Sequence, residues 1–281
     1  MPEMTKSGIY AHMSYSPSLS RREVSLLAEW ELARKRWVTI DDIRKEAGSA
    51  AAAKVASALV RKGALERLKP GLYLLHPFRL LKRGSAMSAP AALEVLLHAE
   101  PHYLGGLWAF TQNGLTEQQY VSRLDAFVAR PRRGGGVPGA KVAFHVVPRA
   151  ALHVGVVDVF VEGMRVPISD PERTLVDLLE LPRIAGGLLG ALELFQRALP
   201  RVAAGRVAEY ASRIARTSTC QRIGLLLDRA GAPPSVLRRL SRRTRGTKSL
   251  ISLQPGRRTG RVNTRWNVVE NDDGLDSSPI A

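Results

Sequence analysis

The sequence predicts an α+β protein: an N-terminal winged helix-turn-helix followed by a larger mixed α/β C-terminal domain. Three observations predict it. Residues 20–75 carry, in order, signals for a helix, a second helix, a glycine turn, a third helix and a hairpin. Strand and helix patterns interleave from residue 88 onward. Apolar residues make up 45% of 281, enough for a sizeable core. The expected division is a flexible extension (1–17), the winged helix (18–76), a linker (77–87), the C-terminal domain (88–271) and a flexible tail (272–281).

The N-terminal elements follow from local chemistry. Ser20 with Glu23 reads as a capping box that opens the first helix. Val24, Leu27, Ala28 and Leu32 recur at helical spacing and are expected to form its buried stripe. Trp37 and Val38 form a short extended link. Thr39 with Asp42 opens a second helix containing Ile40, Ile43 and Ala47, and Gly48 ends it. Ser49 is expected to cap a third helix reaching about residue 62, with Val55, Ala56, Leu59 and Val60 inward. Ala64–Leu68 and Gly71–Leu75 then form a hairpin around Lys69-Pro70-Gly71.

In the second region Ser88-Ala89-Pro90 opens a helix, and Tyr103 to Asn113 reads as an apolar helix or turn. Segments 126–129, 141–147 and 156–161 read as strands. Asp170-Pro171 places a cap and a first-turn proline before a helix. Helices also fit residues 186–199, 203–216, 219–230 and 233–241, and Leu250–Leu253 and Trp266–Val269 look extended.

A formal charge of +17 implies a polyanionic partner. It is uneven. Residues 1–80 hold 14 Lys and Arg against 8 Asp and Glu, residues 81–181 hold 10 against 10, and residues 182–281 hold 18 against 7. Two basic ends flank a neutral middle. The single cysteine, Cys220, excludes an internal disulfide and a cysteine-based zinc site. No run of 18 apolar residues occurs, and the first thirteen residues lack a signal peptide's apolar core. A cytoplasmic protein with no membrane partner is expected.

The third helix of such a fold lies in the major groove, and the hairpin touches the DNA backbone. Ser49, Ala50, Ala53, Lys54, Ser57 and Arg61 are the expected outward residues of that helix. The small ones permit close approach, and Lys54 and Arg61 reach phosphate or guanine. Arg67 and Lys69 on the wing are expected phosphate contacts. At the basic end, Arg238, Arg239, Arg242, Arg243 and Arg245 crowd one helix and its exit, and like charges this close call for a compensating acidic partner or nucleic acid.

Patterns for catalysis, metals and cofactors are poor, so none is expected. Gly134 to Lys141 resembles a phosphate loop, but the lysine does not directly follow the last glycine and no Ser or Thr comes next. His98 and His102 have helical metal spacing with Pro101 between them. Asp158 and Glu162 lie near a strand without a following Glu-x-Lys. Cys220 sits near a helix start, where a thiol can be acidified, but has no nearby histidine.

Ile168-Ser169-Asp170-Pro171-Glu172-Arg173-Thr174-Leu175-Val176-Asp177-Leu178-Leu179, with Pro182 and Gly186-Gly187, resembles the AbiEi antitoxin family of abortive-infection phage-defence systems. The resemblance extends to Tyr103-Leu104-Gly105-Gly106 with Ala109, and to Gly114-Leu115-Thr116-Glu117-Gln118. It continues in Leu253-Gln254-Pro255, Asn263-Thr264-Arg265-Trp266-Asn267-Val268 and Gly71-Leu72-Tyr73, spanning roughly residues 18–271. It implies a non-catalytic protein that represses its own toxin–antitoxin operon at inverted repeats in double-stranded DNA. It also implies a C-terminal antitoxin domain that neutralises a nucleotidyltransferase-like toxin. As plain structure, Asp170 caps a helix, and Arg173 and Asp177 lie one turn apart. Two other readings remain: a stand-alone transcription regulator with a sensing or oligomerising domain, and a DNA-targeted nuclease.

Overall fold

The computed structural model describes residues 19–76, 87–256 and 258–272. The expected N-terminal extension lies outside them, as do the linker and the tail apart from residues 87 and 272. The chain forms two compact units, Met1–Ser88 and Ala89–Ala281.

The first unit contains α1 (Arg21–Leu32), β1 (Trp37–Thr39), α2 (Ile40–Ala47), α3 (Ser49–Arg61), β2 (Leu65–Lys69) and β3 (Leu72–Leu75). The expected capping box of α1 forms, and the expected start of α2 is a second one: the Ser20 and Thr39 hydroxyls accept from the third backbone N–H of their helices, and Glu23 and Asp42 reach back. The extended link is a true strand. β1 pairs antiparallel with β3, which also pairs with β2, so the wing is three-stranded in the order β1-β3-β2. Leu27, Trp30, Val38, Ile43, Ala56, Leu59 and Leu65 meet in its core. Each large side chain buried this way contributes about 1.5–3 kcal/mol.

Two local expectations need correction. The buried stripe of α1 is Leu26, Leu27 and Trp30 with Glu23, whereas Val24 is 41% and Leu32 90% exposed. Trp30 is the largest side chain on the helix, and burying it with Leu26 one turn earlier turns Val24, Ala28 and Leu32 outward. Ser49 is the first helical residue of α3 rather than its cap. Gly48, at φ +80°, both closes α2 and opens α3, leaving no position for a separate capping side chain.

The second unit holds α4 (Ala89–Leu97) and a six-stranded mixed sheet. Its strands are β4 (His102–Gly105), β5 (Arg123–Val128), β6 (Gly135–Val137), β7 (Ala140–Val146), β8 (Val156–Val161) and β9 (Met164–Ser169), in the order β6-β7-β5-β4-β9-β8. The apolar segment from Tyr103 to Asn113 is therefore the strand β4 followed by α5 (Gly106–Gln112). The glycine-rich stretch from Gly134 is one arm of the β6–β7 hairpin. The helices α6 (Pro171–Glu180), α7 (Leu188–Ala198), α8 (Ala204–Ile214), α9 (Thr217–Arg229) and α10 (Pro234–Thr244) follow.

A last small sheet, β10 (Ile251–Ser252), β12 (Val268–Glu270) and β11 (Arg261–Asn263), completes the unit. Trp266 fixes it on α9: its Nε1 donates to Asp228 at 2.8 Å. Its ring lies so close to Gly224 that a Cβ there would sit 2.2 Å from it.

The Asp170 segment is the buried joint of this unit. Asp170 caps α6 by accepting from the Arg173 backbone N–H at 2.8 Å, with Pro171 in the first turn. Arg173, 1% exposed, donates through Nε to Asp177 at 2.8 Å and through one terminal nitrogen to the carbonyls of Ala151 and Val154 at 2.7 and 2.6 Å. Its other terminal nitrogen donates to the Tyr103 hydroxyl, which donates in turn to Asp177 at 2.9 Å. Burial pulls against the Arg173 charge, but Asp177 and Tyr103 outweigh it and raise the guanidinium pKa, so the cation is held. Asp170, Pro171, Arg173 and Asp177 thus serve the architecture of this unit.

Candidate nucleic-acid interface

The face of α3 opposite the core is set by helical spacing. Ala52, Ala56 and Leu59 are buried, while Ser49, Ala50, Ala53, Lys54, Ser57 and Arg61 are all exposed. Ala50, Lys54, Ser57 and Arg61 follow one another at intervals of four, three and four, which aligns them along one side. The helix contains no Asp or Glu. Lys54 and Arg61 make no ion pair among the described residues, so their charges face solvent.

The rest of the unit holds this face in place. Arg22 of α1 donates to the Ala47 carbonyl at 2.6 Å, tying the first helix to the end of α2. Lys62, just past α3, meets Glu23 at 2.6 Å. Burial would lift the Glu23 carboxyl, but hydrogen bonds from Lys62 and Ser20 hold it below its ordinary value. Lys35 meets Asp42 at 2.9 Å, and with Thr39 it overcomes burial to bring that carboxyl to about 2. These acids are spent inside the unit, on helix starts, and do not neutralise α3.

On the wing, Arg67 is exposed and Lys69 half-buried. Arg67 faces Tyr73 and Lys69 faces Leu72 across β3, with an irregularity in register between the two. Pro70 and Gly71 make the tip, where Gly71 adopts φ +80°.

In the second unit Arg238, Arg239, Arg242, Arg243 and Arg245 are all exposed on α10 and its exit. Arg239 is held by Glu209 of α8 at 3.1 Å. The other four form no ion pair among the described residues, and Leu237, Leu240 and Thr244 bury the opposite side of the helix.

The remaining candidates have structural explanations. His98 Nδ1 lies 2.9 Å from the Val95 carbonyl, while His102 is engaged at both nitrogens, by Glu100 and Glu94. Asp158 pairs with Arg165 at 3.3 Å. Cys220 is fully buried, and burial pushes its thiol up to about 11, so it is a poor nucleophile. Among the described residues no cluster of three His, Cys, Asp or Glu could hold a metal. Likewise no helix there is long and apolar enough to cross a membrane.

Three helices with a glycine turn between the second and third, closed by a small antiparallel sheet, define a winged helix-turn-helix. Residues 25–76 match the family model described as transcriptional regulator, AbiEi antitoxin. The resemblance read from the sequence holds over that segment. A crystal structure of the RV2827C protein from Mycobacterium tuberculosis is similar with a TM-score of 0.66 at 18% identity, over 90% of this chain and 92% of that one. At that identity the likeness is one of fold. No curated protein matches the chain.

Proposed function

We propose that this protein is an antitoxin that represses its own operon. In this reading the winged helix binds double-stranded DNA at inverted repeats. Lys54, Arg61, Arg67 and Lys69 take phosphates or guanine, and Ser49, Ala50, Ala53 and Ser57 allow close approach to base edges. The observation that carries it is the exposed, carboxylate-free face of α3 beside a basic wing. The matched family, a transcriptional regulator and antitoxin, supports the same role.

The second unit is then the antitoxin domain, acting against a nucleotidyltransferase-like toxin. The α10 arginines are its candidate contact with an acidic face of that toxin. The protein works without catalysis in the cytoplasm, as one half of a phage-defence pair.

Two measurements test this. The full chain should shift a duplex spanning the region upstream of its own reading frame at lower concentration than a random duplex. Co-expressed with the product of the adjacent reading frame, it should restore growth. Equal affinity for both duplexes would sink the repressor role, and failure to restore growth would sink the antitoxin role.

A further inference from the structure

We propose that the exposed face of α1 docks on α1 of a second copy of this chain, the two helices running antiparallel across a two-fold axis. The inference deepens the repressor reading, since paired half-sites call for paired copies, but the contact itself rests on α1 alone.

Val24, Ala28 and Leu32 recur every fourth residue along the solvent side of α1, with Ser25 beside them. Leu32, at 90% exposure, is the most exposed large apolar side chain among the described residues, and Val24 is 41% exposed. The centre of the stripe, Ser25 and Ala28, is small and admits a neighbouring backbone.

The charges select the occupant. Arg21 is the first residue of α1 and Glu29 lies near its end. Both are exposed, and neither forms an ion pair among the described residues. A cation at a helix start and an anion at its end oppose the helix dipole, so the isolated helix gains nothing from them. An antiparallel copy reverses the order and brings Arg21 of each helix beside Glu29 of the other. A parallel copy would set like against like. A uniformly acidic or basic partner would satisfy one end and repel the other. The complement of this stripe is the same stripe reversed, which is the condition for a two-fold contact.

The contact is small. A helix of 12 residues is about 18 Å long, and two of them cover less than the ~1,200 Å² of a stable interface. Copies held side by side on one duplex reach the effective concentration that such a contact needs.

The test uses the full chain carrying Ser25→Cys, midway between Arg21 and Glu29 and so at the two-fold axis of that pairing, with native Cys220 buried and unreactive. Mild oxidation of a concentrated solution should give disulfide-linked dimer, and the exposed control Ser235→Cys should give little. Adding Arg21→Glu should cut the dimer yield by about two- to thirty-fold, the range for losing two symmetry-related exposed ion pairs. Adding Glu29→Arg to that variant should restore it. Each change moves charge in the direction the helix dipole favours, so a lost dimer is not a weakened helix. Equal yields from Ser25→Cys and Ser235→Cys, or no effect of Arg21→Glu, would overturn the proposal. The upstream-duplex experiment judges the repressor role separately, since a chain that cross-links through α1 and ignores that duplex keeps the contact and loses the role.

Discussion

Lys62 Nζ lies 2.6 Å from Glu23 Oε2, joining residues 39 apart in sequence. The same carboxylate oxygen accepts from the Ser20 backbone N–H at 2.6 Å. One group therefore closes the capping box of α1 and anchors the end of α3. Both side chains are largely buried, 9% and 19% exposed, so the pair is worth more than a surface bridge. Glu23→Ala should destabilise the first unit by about 1–3 kcal/mol, combining a lost cap with an unpaired ammonium. A double-mutant cycle with Lys62→Met, read from urea midpoints, should give a coupling of at least about 1 kcal/mol. Additive effects would make the bridge incidental.

The starts of α1 and α2 are legible because capping boxes are local: Ser20 with Glu23, and Thr39 with Asp42, need only three-residue spacing. The facing of α1 is not, because two apolar stripes compete on it. Val24, Ala28 and Leu32 look as good by spacing as Leu26, Leu27 and Trp30, and only tertiary packing of Trp30 decides. The strand β9 is not legible because Pro167 interrupts its pattern, and β1 is legible as an extended link but not as a partner of β3, since pairing is not local. The partners of Arg173 were legible only in part. Asp177 is one turn away, while Tyr103 and the carbonyls of Ala151 and Val154 come from distant chain. The outward residues of α3 followed from periodicity alone, once its core face was fixed.

The Asp42 carboxyl gives a pH signature. Its folded value of about 2 lies below its ordinary 3.8. A depressed carboxylate stabilises the fold above the unfolded value and loses that contribution as pH falls through the folded one. Its share, about 1–2 kcal/mol after allowing for partial solvent access, should fade between roughly pH 4 and 2. Asp42→Asn should be less stable than the parent at pH 7, with the difference shrinking towards pH 2. A constant difference across that range would point to the lost helix cap rather than to charge.

Arg173 should be intolerant of even conservative change. Its guanidinium serves Asp177, Tyr103 and two backbone carbonyls from a site 1% exposed. A lysine ammonium has three donors and no planar fork, so Arg173→Lys cannot reproduce the set. Arg173→Met leaves Asp177 buried beside one remaining donor, at a cost of about 3–5 kcal/mol. The lysine variant should recover only part of that in thermal or urea unfolding. Full recovery by lysine would mean that charge alone matters here and the fork does not.

The wing and the third helix should separate cleanly in DNA binding. Arg67 and Lys69 lie on β2 next to the hairpin tip, which in the proposed docking would meet a phosphate before a base. Replacing both with Ala should weaken binding to the upstream duplex and to random duplex alike, and each lost phosphate contact should flatten the log–log salt slope by about 0.9. Lys54 and Ser57 lie on the exposed side of α3, which the proposed docking would turn towards base edges. Lys54→Ala or Ser57→Ala should cost about 1–3 kcal/mol on the upstream duplex and less on random DNA. Charge explains why the two classes differ: a phosphate contact releases counterions from any sequence, whereas a base contact is lost only where the right base stands. The same titrations at two salt concentrations therefore give both answers. If the wing variants kept the parent slope, the hairpin would not touch DNA, and if the α3 variants lost equally on both duplexes, that helix would grip the backbone without reading it.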